Sequence, residues 1–275
     1  MTKIALGLPW YNGPDKDCYP LFFEIIEYFG RLKERSVLRN RLGAEQFDGI
    51  TLPPLWKEDP LADPTPAEWD ALGEIQFGWA DQGGLSLPGL ARELCIESAQ
   101  SWDADYIFFW DDDMKFPHST FLQLWRHQKP VVGALAFTAR RPFVPVIYRI
   151  LETVDPLLGG IPKYESETIL DYPKDRLITN KDVGGAIAFG SGVMLIDMKV
   201  FRQIPKPWFH STGCGEDWYF CVRCHLNGIP RYVDTSLKTH HKGRQSVWVD
   251  EAIYDAERKA IPEVYEKAYL AEISK

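Results

Sequence analysis

The sequence predicts a mixed α/β fold in which helices flank a mainly parallel sheet. Short apolar segments alternate with amphipathic, helix-like segments through the first half of the 275 residues, as strands do when helices connect them. The apolar run Tyr106–Trp110 leads directly into Asp111, Asp112 and Asp113, which is typical of a buried strand ending at a polar sheet edge. In such sheets ligands lie beyond the carboxyl ends of the strands.

The elements of the first half follow in order. Residues 3–8 are apolar and predict a first strand, which ends in a turn-rich loop at 9–14. Residues 20–34 carry apolar side chains at helical spacing, with Pro20 near the start. The remaining predictions are a short strand at 47–52, a Pro- and Asp-rich surface loop at 53–66, a helix at 87–102, the strand at 106–110 and a helix at 119–127.

The second half is less regular, and glycines interrupt it. Residues 151–181 show no clear period and predict a long, variable excursion. Residues 183–197 are apolar but broken by glycines, which predicts two short strands or one bent ribbon. The other predicted elements are strands at 130–137, 144–150, 231–234 and 237–239, a short helix at 198–204, a helix at 216–227 ended by Gly228, and a C-terminal helix or helix pair at 249–273 broken near Pro262.

Composition limits the function classes. A chain that is 45% hydrophobic and 13% aromatic has enough apolar material for one sizeable core, and no linker or internal repeat divides it. A net charge of −8 and a sequence pI near 5.3 disfavour generic binding to nucleic acid or to anionic membranes, although a local basic patch stays possible. No apolar stretch reaches the length of a membrane span, and the N-terminus resembles a strand more than a signal peptide.

The cysteines indicate a reducing compartment. Their number is five, which is odd, and this fits reduced thiols and a cytoplasmic location better than a disulfide framework. Cys221 and Cys224 form a single CxxC pair, for which buried thiols are favoured over a structural zinc site.

The three aspartates suit a metal ion. Side chains alternate along a strand end, so Asp111 and Asp113 can point the same way while Asp112 points elsewhere. Two close carboxylates repel each other unless a cation lies between them, and carboxylate oxygens suit Mg²⁺ or Mn²⁺. The alternative is a solvated acidic turn that caps the next helix.

A series of motifs resembles the GT-A-fold glycosyltransferases, enzymes that use nucleotide sugars. The resemblance covers about 200 residues in pieces, from Ile4 to Gly243. The chain departs from the family pattern at Trp10 and in carrying His240 directly before His241. In order, the matching segments are Pro9-Trp10-Tyr11-Asn12, Leu90-Ala91-Arg92, Asp111-Asp112-Asp113-Met114, the glycine-bearing strand 190–196, Gly215-Glu216-Asp217, and 236–243 with its His-x-Gly.

The resemblance implies a role for each motif and one domain over 1–275. That domain would comprise a nucleotide-binding half (1–115), a donor-sugar and acceptor half (116–247) and a C-terminal helical tail (248–275). Asp217 would be the catalytic base of an inverting reaction, and a histidine ligand favours Mn²⁺ over Mg²⁺. The nucleotide would contact Pro9, Tyr11, Asn12, Arg92, Asp111 and Asp112; the metal ligands would be Asp111, Asp113 and His241; the sugar and acceptor would contact Gly192, Glu216 and Trp208.

Ordinary structural roles compete with these assignments. Glu216 and Asp217 are also typical first-turn helix acids, which the helix N-terminus would keep ionised. Tyr11 and Trp10 suit a packed core as well as a stacked base, and Arg92 could pair with the phosphates or with Asp111.

The favoured function is a metal-dependent glycosyltransferase. It would move a sugar from a UDP-sugar, or a GDP-sugar, to a hydroxyl of a glycan, protein or small molecule. One alternative is a nucleotidyltransferase or phosphohydrolase that uses the same aspartates, although the sequence has no P-loop. The other is a GT-A-like protein that binds a sugar without turnover.

Overall fold

A computed structural model describes residues 1–10, 15–82, 85, 87–157, 161–211, 215–243 and 247–258, with backbone alone at 152–157 and 161–165. The helices are α1 (Tyr19–Leu42), α2 (Ala44–Asp48), α3 (Pro66–Leu72), α4 (Pro88–Ser101), α5 (Thr120–Arg126), α6 (Val200–Gln203), α7 (Glu216–Leu226) and α8 (Glu251–Glu257). The strands are β1 (Thr2–Leu8), β2 (Ile75–Asp81), β3 (Tyr106–Trp110), β4 (Met114–Lys115), β5 (Val131–Ala134), β6 (Ile147–Leu157), β7 (Ile161–Thr168), β8 (Leu177–Ile178), β9 (Ala186–Phe189), β10 (Val193–Asp197), β11 (Tyr232–Asp234), β12 (His240–Lys242) and β13 (Trp248–Val249).

The central sheet has seven strands in the order β2-β1-β3-β10-β5-β11-β8. The pairs β1–β2, β1–β3 and β5–β11 are parallel, whereas β10 and β8 run antiparallel to their neighbours. Most strands therefore point one way, and their carboxyl ends meet at one edge. The predicted fold class, a mainly parallel sheet flanked by helices, is confirmed.

Strand β3 shows why the sheet is buried on both faces. Ile107 and Phe109 belong to one hydrophobic cluster, which includes residues of α4 and α7. Phe108 and Trp110 belong to a second cluster, which includes residues of α1 and α5. The side chains alternate between two helical layers because the strand period is two, and both layers end where β3 reaches the aspartates.

Two smaller sheets lie beside the central one. The first has the order β13-β12-β4, so the short strand after the aspartates pairs with the strand that carries the two histidines. The second has the order β7-β6-β9, in which β6 and β7 form an antiparallel hairpin.

Several predicted elements are wrong, and each has a physical cause. No strand forms at 47–52. Its first two residues instead end the short helix α2, which begins after Gly43 adopts a φ of +81°. The excursion predicted at 151–181 contains the β6–β7 hairpin, whose residues pair through the backbone without an apolar alternation in the sequence. The strand predicted at 237–239 lies later, at His240–Lys242.

Other elements are longer or were not predicted. Helix α1 continues to Leu42 because Ser36 and Arg39 are buried on its inner face, where Arg39 pairs with Asp70 at 2.6 Å. Strand β2 and helix α3 had no predicted counterpart, and a short 3₁₀ helix, Pro60–Ala62, interrupts the predicted surface loop. Of the predicted C-terminal helix, α8 is described and 259–275 lie outside the described residues.

Four of the five cysteines lie among the described residues. Cys18, Cys95, Cys221 and Cys224 are free and buried, and Cys214 lies outside the described residues. In the described part of the chain, no helix has the length and apolar character needed to cross a membrane.

Candidate functional site

The three aspartates lie between two later parts of the chain. The Asp111 backbone N–H donates to the Gly192 carbonyl at 2.9 Å, and the Lys242 backbone N–H donates to the Asp113 carbonyl at 2.9 Å. The triplet is thereby fixed to the segment before β10 on one side and to β12 on the other. The structure thus brings three of the predicted motifs together.

Asp113 and His241 form a pair that is suited to a cation. His241 Nε2 lies 3.1 Å from Asp113 Oδ2, and His241 Nδ1 lies 2.6 Å from the Phe137 carbonyl oxygen. A carbonyl only accepts, so Nδ1 carries a hydrogen and a neutral ring presents the Nε2 lone pair to the carboxylate. Two acceptors face each other, and a proton or a metal ion must lie between them.

The charge state of His241 reflects this arrangement. Burial lowers the pKa of the His241 ring, but the hydrogen bond and the charge of Asp113 outweigh burial and raise the pKa above its ordinary value. The Asp113 side chain is 41% exposed, so the pair is open to solvent.

The sequence favours His241 over the adjacent His240 as the ligand, and the structure separates the two. In the antiparallel pairing, His240 lies opposite Lys115 and His241 opposite Met114, so the two rings point to opposite faces. His240 Nε2 lies 3.2 Å from Asp250 Oδ2, away from the aspartate triplet. His241 is therefore the histidine that lies beside the aspartate triplet, and its role as a metal ligand stays a prediction.

Arg92 lies beneath the site rather than on it. Its side chain is 2% exposed, its Nη2 donates to Asp111 Oδ1 at 2.7 Å, and its Nε lies 3.6 Å from Glu216 Oε1. The rings of Phe109 and Phe209 flank the guanidinium, with centroids 5.2 and 5.8 Å from Cζ. Arg92 was predicted to contact the nucleotide, and this is wrong because the side chain is enclosed; of its two possible partners, Asp111 is the one observed.

Arg92 balances the charges of several acids. Burial lowers the pKa of the guanidinium, but Asp111 and Glu216 outweigh burial and raise it, so the group stays charged. Burial likewise raises the pKa of Asp111, and Arg92 opposes that change. Arg92 therefore links the acid after β3 to the acid that begins α7.

Asp217 is a carboxylate with a weakened preference for ionisation. Its Oδ1 accepts from the Trp218 backbone N–H at 2.7 Å. Burial, and then the charge of Glu216, raise the pKa of Asp217 to about 6. We expected the helix N-terminus to favour the ionised form; burial outweighs it and moves the pKa in the opposite direction.

Two glycines line the space between Asp111 and Asp217. A Cβ placed on Gly190 would lie 3.6 Å from Asp217 Oδ2 and 3.0 Å from Val146 Cγ1. A Cβ placed on Gly192 would lie 3.4 Å from Asp111 Oδ2. Side chains at these positions would also meet Val146 (at Gly190) and Met114 (at Gly192, 3.3 Å), so only glycine lets the backbone lie this close to the two carboxylates; we call Gly190 and Gly192 the glycine floor.

Asp112 faces different neighbours. Burial raises the pKa of its carboxyl to about 7, and the charges of Asp113 and Asp111 add to this rise. Its backbone carbonyl accepts from the Asp15 N–H at 3.2 Å. Asp15 in turn pairs with Lys242, an interaction that the sequence analysis missed and that only the folded register of β12 reveals.

The remaining predicted site residues are Pro9, Tyr11, Asn12 and Trp208. Pro9 is half-buried directly after β1, while Tyr11 and Asn12 lie outside the described residues. Trp208 was predicted as a sugar platform, and this is wrong because its ring is 4% exposed and its indole N–H donates to the Ile204 carbonyl at 2.8 Å. The position of Trp208 shortly before the Gly215-Glu216-Asp217 motif did not reveal that its side chain is buried.

A cleft of about 520 Å³ adjoins the site. Its lining includes His241, Val146 and Tyr148. Val146 also borders the space beside Gly190. Nothing in the sequence marked Val146 or Tyr148 as a site residue, because both fall within an ordinary predicted strand, 144–150.

The described residues supply only part of a metal site. Among them, His, Cys, Asp and Glu side chains form no group of three or more that could hold a metal ion. Asp113 and His241 are together, but Asp111 is bonded to Arg92 instead of completing the predicted set of three. An oxygen and an imidazole nitrogen fit Mn²⁺, provided that the remaining ligands come from water and from substrate oxygens.

Comparisons with known proteins give only distant likenesses. No protein-family model and no curated protein matches the chain. Among solved structures, A197 from STIV shares 12% identity over 91% of this chain and 94% of that one, with a TM-score of 0.44. S. aureus TarS 1-349 shares 13% over 86% and 58% (TM-score 0.35), and apo-UDP-glucose pyrophosphorylase shares 11% over 88% and 93% (TM-score 0.36). These scores are too low to support an argument about function.

Proposed function

We propose that the protein is a metal-dependent glycosyltransferase that moves a sugar from a nucleoside-diphosphate sugar, with UDP favoured, to an acceptor hydroxyl. One arrangement carries the proposal: a floor of two glycines with Asp111 beside one and Asp217 beside the other. The order of motifs that resembles the GT-A-fold enzymes points the same way.

The floor has the dimensions of a sugar site. Gly190 and Gly192 are two residues apart, so their Cα atoms are separated by at most about 7 Å, roughly the width of one sugar ring. Asp111 lies at the Gly192 end and Asp217 at the Gly190 end. A ring on this floor would have its leaving group toward Asp111 and Asp113 and its opposite face toward Asp217.

The donor end would bind the diphosphate. Asp113 and His241 would hold Mn²⁺, or Mg²⁺, which when bound supplies a Lewis acid for the charge that develops on the phosphate oxygens. Hydrogen bonding of Nδ1 to the Phe137 carbonyl fixes the tautomer that a ligand requires. Arg92 would hold Asp111 in place and oppose the rise that burial causes in its pKa, without touching the substrate.

Asp217 would act as the base. The acceptor oxygen forms a bond to the anomeric carbon as the bond from that carbon to the phosphate oxygen breaks, and the electron pair leaves with the diphosphate. The acceptor proton passes to the Asp217 carboxylate, which at a pKa of about 6 is mostly ionised at neutral pH yet basic enough to accept it. Attack from the side opposite the leaving group inverts the anomeric centre.

The test begins with the donor. UDP- and GDP-sugars are screened by thermal shift with Mn²⁺, since a ligand of the folded state raises the melting temperature. The donor found is then incubated with an acceptor panel, while UDP release and product mass are measured. Sugar-dependent UDP release that requires Mn²⁺ supports the proposal.

Two variants sharpen the test. Asp113→Ala should lose Mn²⁺-dependent UDP binding, whereas Asp171→Ala, a change at a carboxylate that is 84% exposed, should not. If Asp113→Ala bound and released UDP as the wild type does, the metal assignment would be wrong. Pyrophosphate or inorganic phosphate as the product would instead favour a nucleotidyltransferase or phosphohydrolase, and binding without product would favour a sugar-binding protein.

A further inference from the structure

The cleft beside His241 extends from the proposed donor end toward the proposed base. His241 is one of its lining residues. Val146 lines the cleft and also borders the space between Gly190 and Asp217. Tyr148 lines it too, and its ring packs edge-on against Trp218, with centroids 6.2 Å apart. Since Val146 borders both the cleft and the space beside Asp217, a molecule in the cleft lies near that carboxylate.

The wall of the cleft is largely apolar. Its apolar lining comes from Ala139, Pro142, Val144, Val146 and Tyr148. Such a wall favours a ligand with an aliphatic or aromatic body, because burial of that body against these side chains is favourable. A bare monosaccharide would leave most of this wall in contact with water.

The rim of the cleft is positively charged in a chain whose net charge is −8. Arg141 pairs with Glu257 at 2.6 Å. Arg140 is exposed and makes no ion pair with the residues that the structure describes. The Arg140 guanidinium is thus available to an anion beside the apolar lining of the cleft.

The loop that carries the arginines is held in shape. The Thr138 hydroxyl shares its hydrogen between the Arg140 carbonyl at 3.0 Å and the Pro142 carbonyl at 2.8 Å, and it accepts from the Val144 N–H at 3.0 Å. A Cβ placed on Gly243 would lie 3.1 Å from the Ala139 carbonyl oxygen, so the loop packs closely on the segment after β12. A loop fixed in this way loses little entropy when it binds a ligand.

We propose that this cleft is the acceptor site and that Arg140 selects acceptors in which an apolar body separates an anionic group from the reacting hydroxyl. The anionic group pairs with Arg140, the body lies along Val144, Val146 and Tyr148, and the hydroxyl reaches Asp217. This inference rests on the proposed function, because it identifies the acceptor class for that same site.

Matched probes test the selection. The anion 4-(4-hydroxyphenyl)butanoate and its neutral primary amide share one body and one hydroxyl, so they differ only in the group proposed to meet Arg140. Binding of each is measured by ligand-observed NMR titration to the wild type, to Arg140→Gln and to the control Arg41→Gln, which changes an exposed arginine at the end of α1. The wild type and the control should bind the anion about tenfold more tightly than the amide, and Arg140→Gln should bind the two equally.

The outcomes separate this inference from the proposed function, because Mn²⁺-dependent UDP binding is measured on the same three proteins. The acceptor assignment is overturned if the wild type binds the two probes equally, or if it binds neither at about 10 mM, a concentration that detects even weak ligands. If Arg140→Gln weakens UDP binding instead of probe discrimination, Arg140 serves the donor and the inference is wrong. If none of the three proteins, the wild type included, binds UDP in the presence of Mn²⁺, the proposed function itself is refuted.

Discussion

Asp217→Asn is expected to stabilise the folded protein at pH 8 while it removes transfer activity. The ionised carboxylate is disfavoured in the folded state, since burial and Glu216 raise the pKa of Asp217 from 3.8 to about 6. Asparagine is neutral at every pH and its Oδ1 can still accept from the Trp218 N–H. The substitution thus removes a buried charge and keeps its hydrogen bond.

The magnitude follows from the raised pKa. A pKa of about 6 in place of 3.8 corresponds to about 3 kcal/mol, at 1.36 kcal/mol per pKa unit. A carboxyl whose folded pKa is raised contributes stability below its unfolded pKa and loses it as pH rises through the folded pKa. The advantage of Asp217→Asn should be absent below about pH 4, grow up to about pH 6 and be complete by about pH 7. For a chain of this size it amounts to roughly 6 °C in melting temperature.

The assay is thermal unfolding of wild type and Asp217→Asn from pH 4 to pH 8. Asp234→Asn serves as the control of opposite sign: burial raises the pKa of Asp234, but hydrogen bonds from His127 and Ser236 outweigh it and lower that pKa. A lowered pKa gives stability that is present at neutral pH and lost on acidification, so Asp234→Asn should destabilise at pH 8. The reasoning is refuted if Asp217→Asn is no more stable than wild type at pH 8, or if its advantage persists unchanged at pH 4.

Three further changes test other contacts. Arg92→Met leaves Asp111 and Glu216 without their buried counter-charge and should cost about 3–5 kcal/mol in urea unfolding; a loss under ~1 kcal/mol, typical of exposed pairs, would contradict the charge balance described. Gly190→Val places a side chain beside Asp217 and should lower turnover about 100-fold, with UDP binding unchanged; unaltered turnover would argue against a sugar on the glycine floor. His241→Ala should weaken Mn²⁺-dependent UDP binding by at least about tenfold, whereas His240→Ala, on the opposite face, should bind UDP as the wild type does.

The sequence predicted the parts of the fold whose burial follows a period. Strand β3 was predicted with its observed bounds because every residue from Tyr106 to Trp110 is apolar and a polar cluster follows. Strand β2 was missed because it is an edge strand that includes Gly78 and an exposed Trp79, so no alternation marks it. Gly78 lies there because a Cβ would come within 2.5 Å of the Trp102 ring, a contact that local sequence cannot reveal.

The sequence indicated which residues come close together at the candidate site better than it indicated their contacts. Asp113 and His241 were expected as ligands of one metal ion, and they lie 3.1 Å apart; the metal role stays a prediction. Arg92 was expected to contact a ligand because nothing in a helical pattern distinguishes an arginine that faces solvent from one that is buried against two acids, here Asp111 and Glu216. The pKa of Asp217 was expected to follow the helix terminus, whereas it follows burial, which depends on Glu216 and on elements distant in sequence.

The sheet that joins Asp113 to His241 is very small. Strands β4 and β13 have two residues each and β12 has three, yet the pair they align is separated by 128 positions in the chain. Short strands of this kind open more readily than the core strands. The amide hydrogen of Lys242, which bonds to the Asp113 carbonyl, should therefore exchange with solvent faster than those of β3. A ligand held between Asp113 and His241 would act as a staple across this sheet, and slower exchange at Lys242 would report its arrival even before any sugar is transferred.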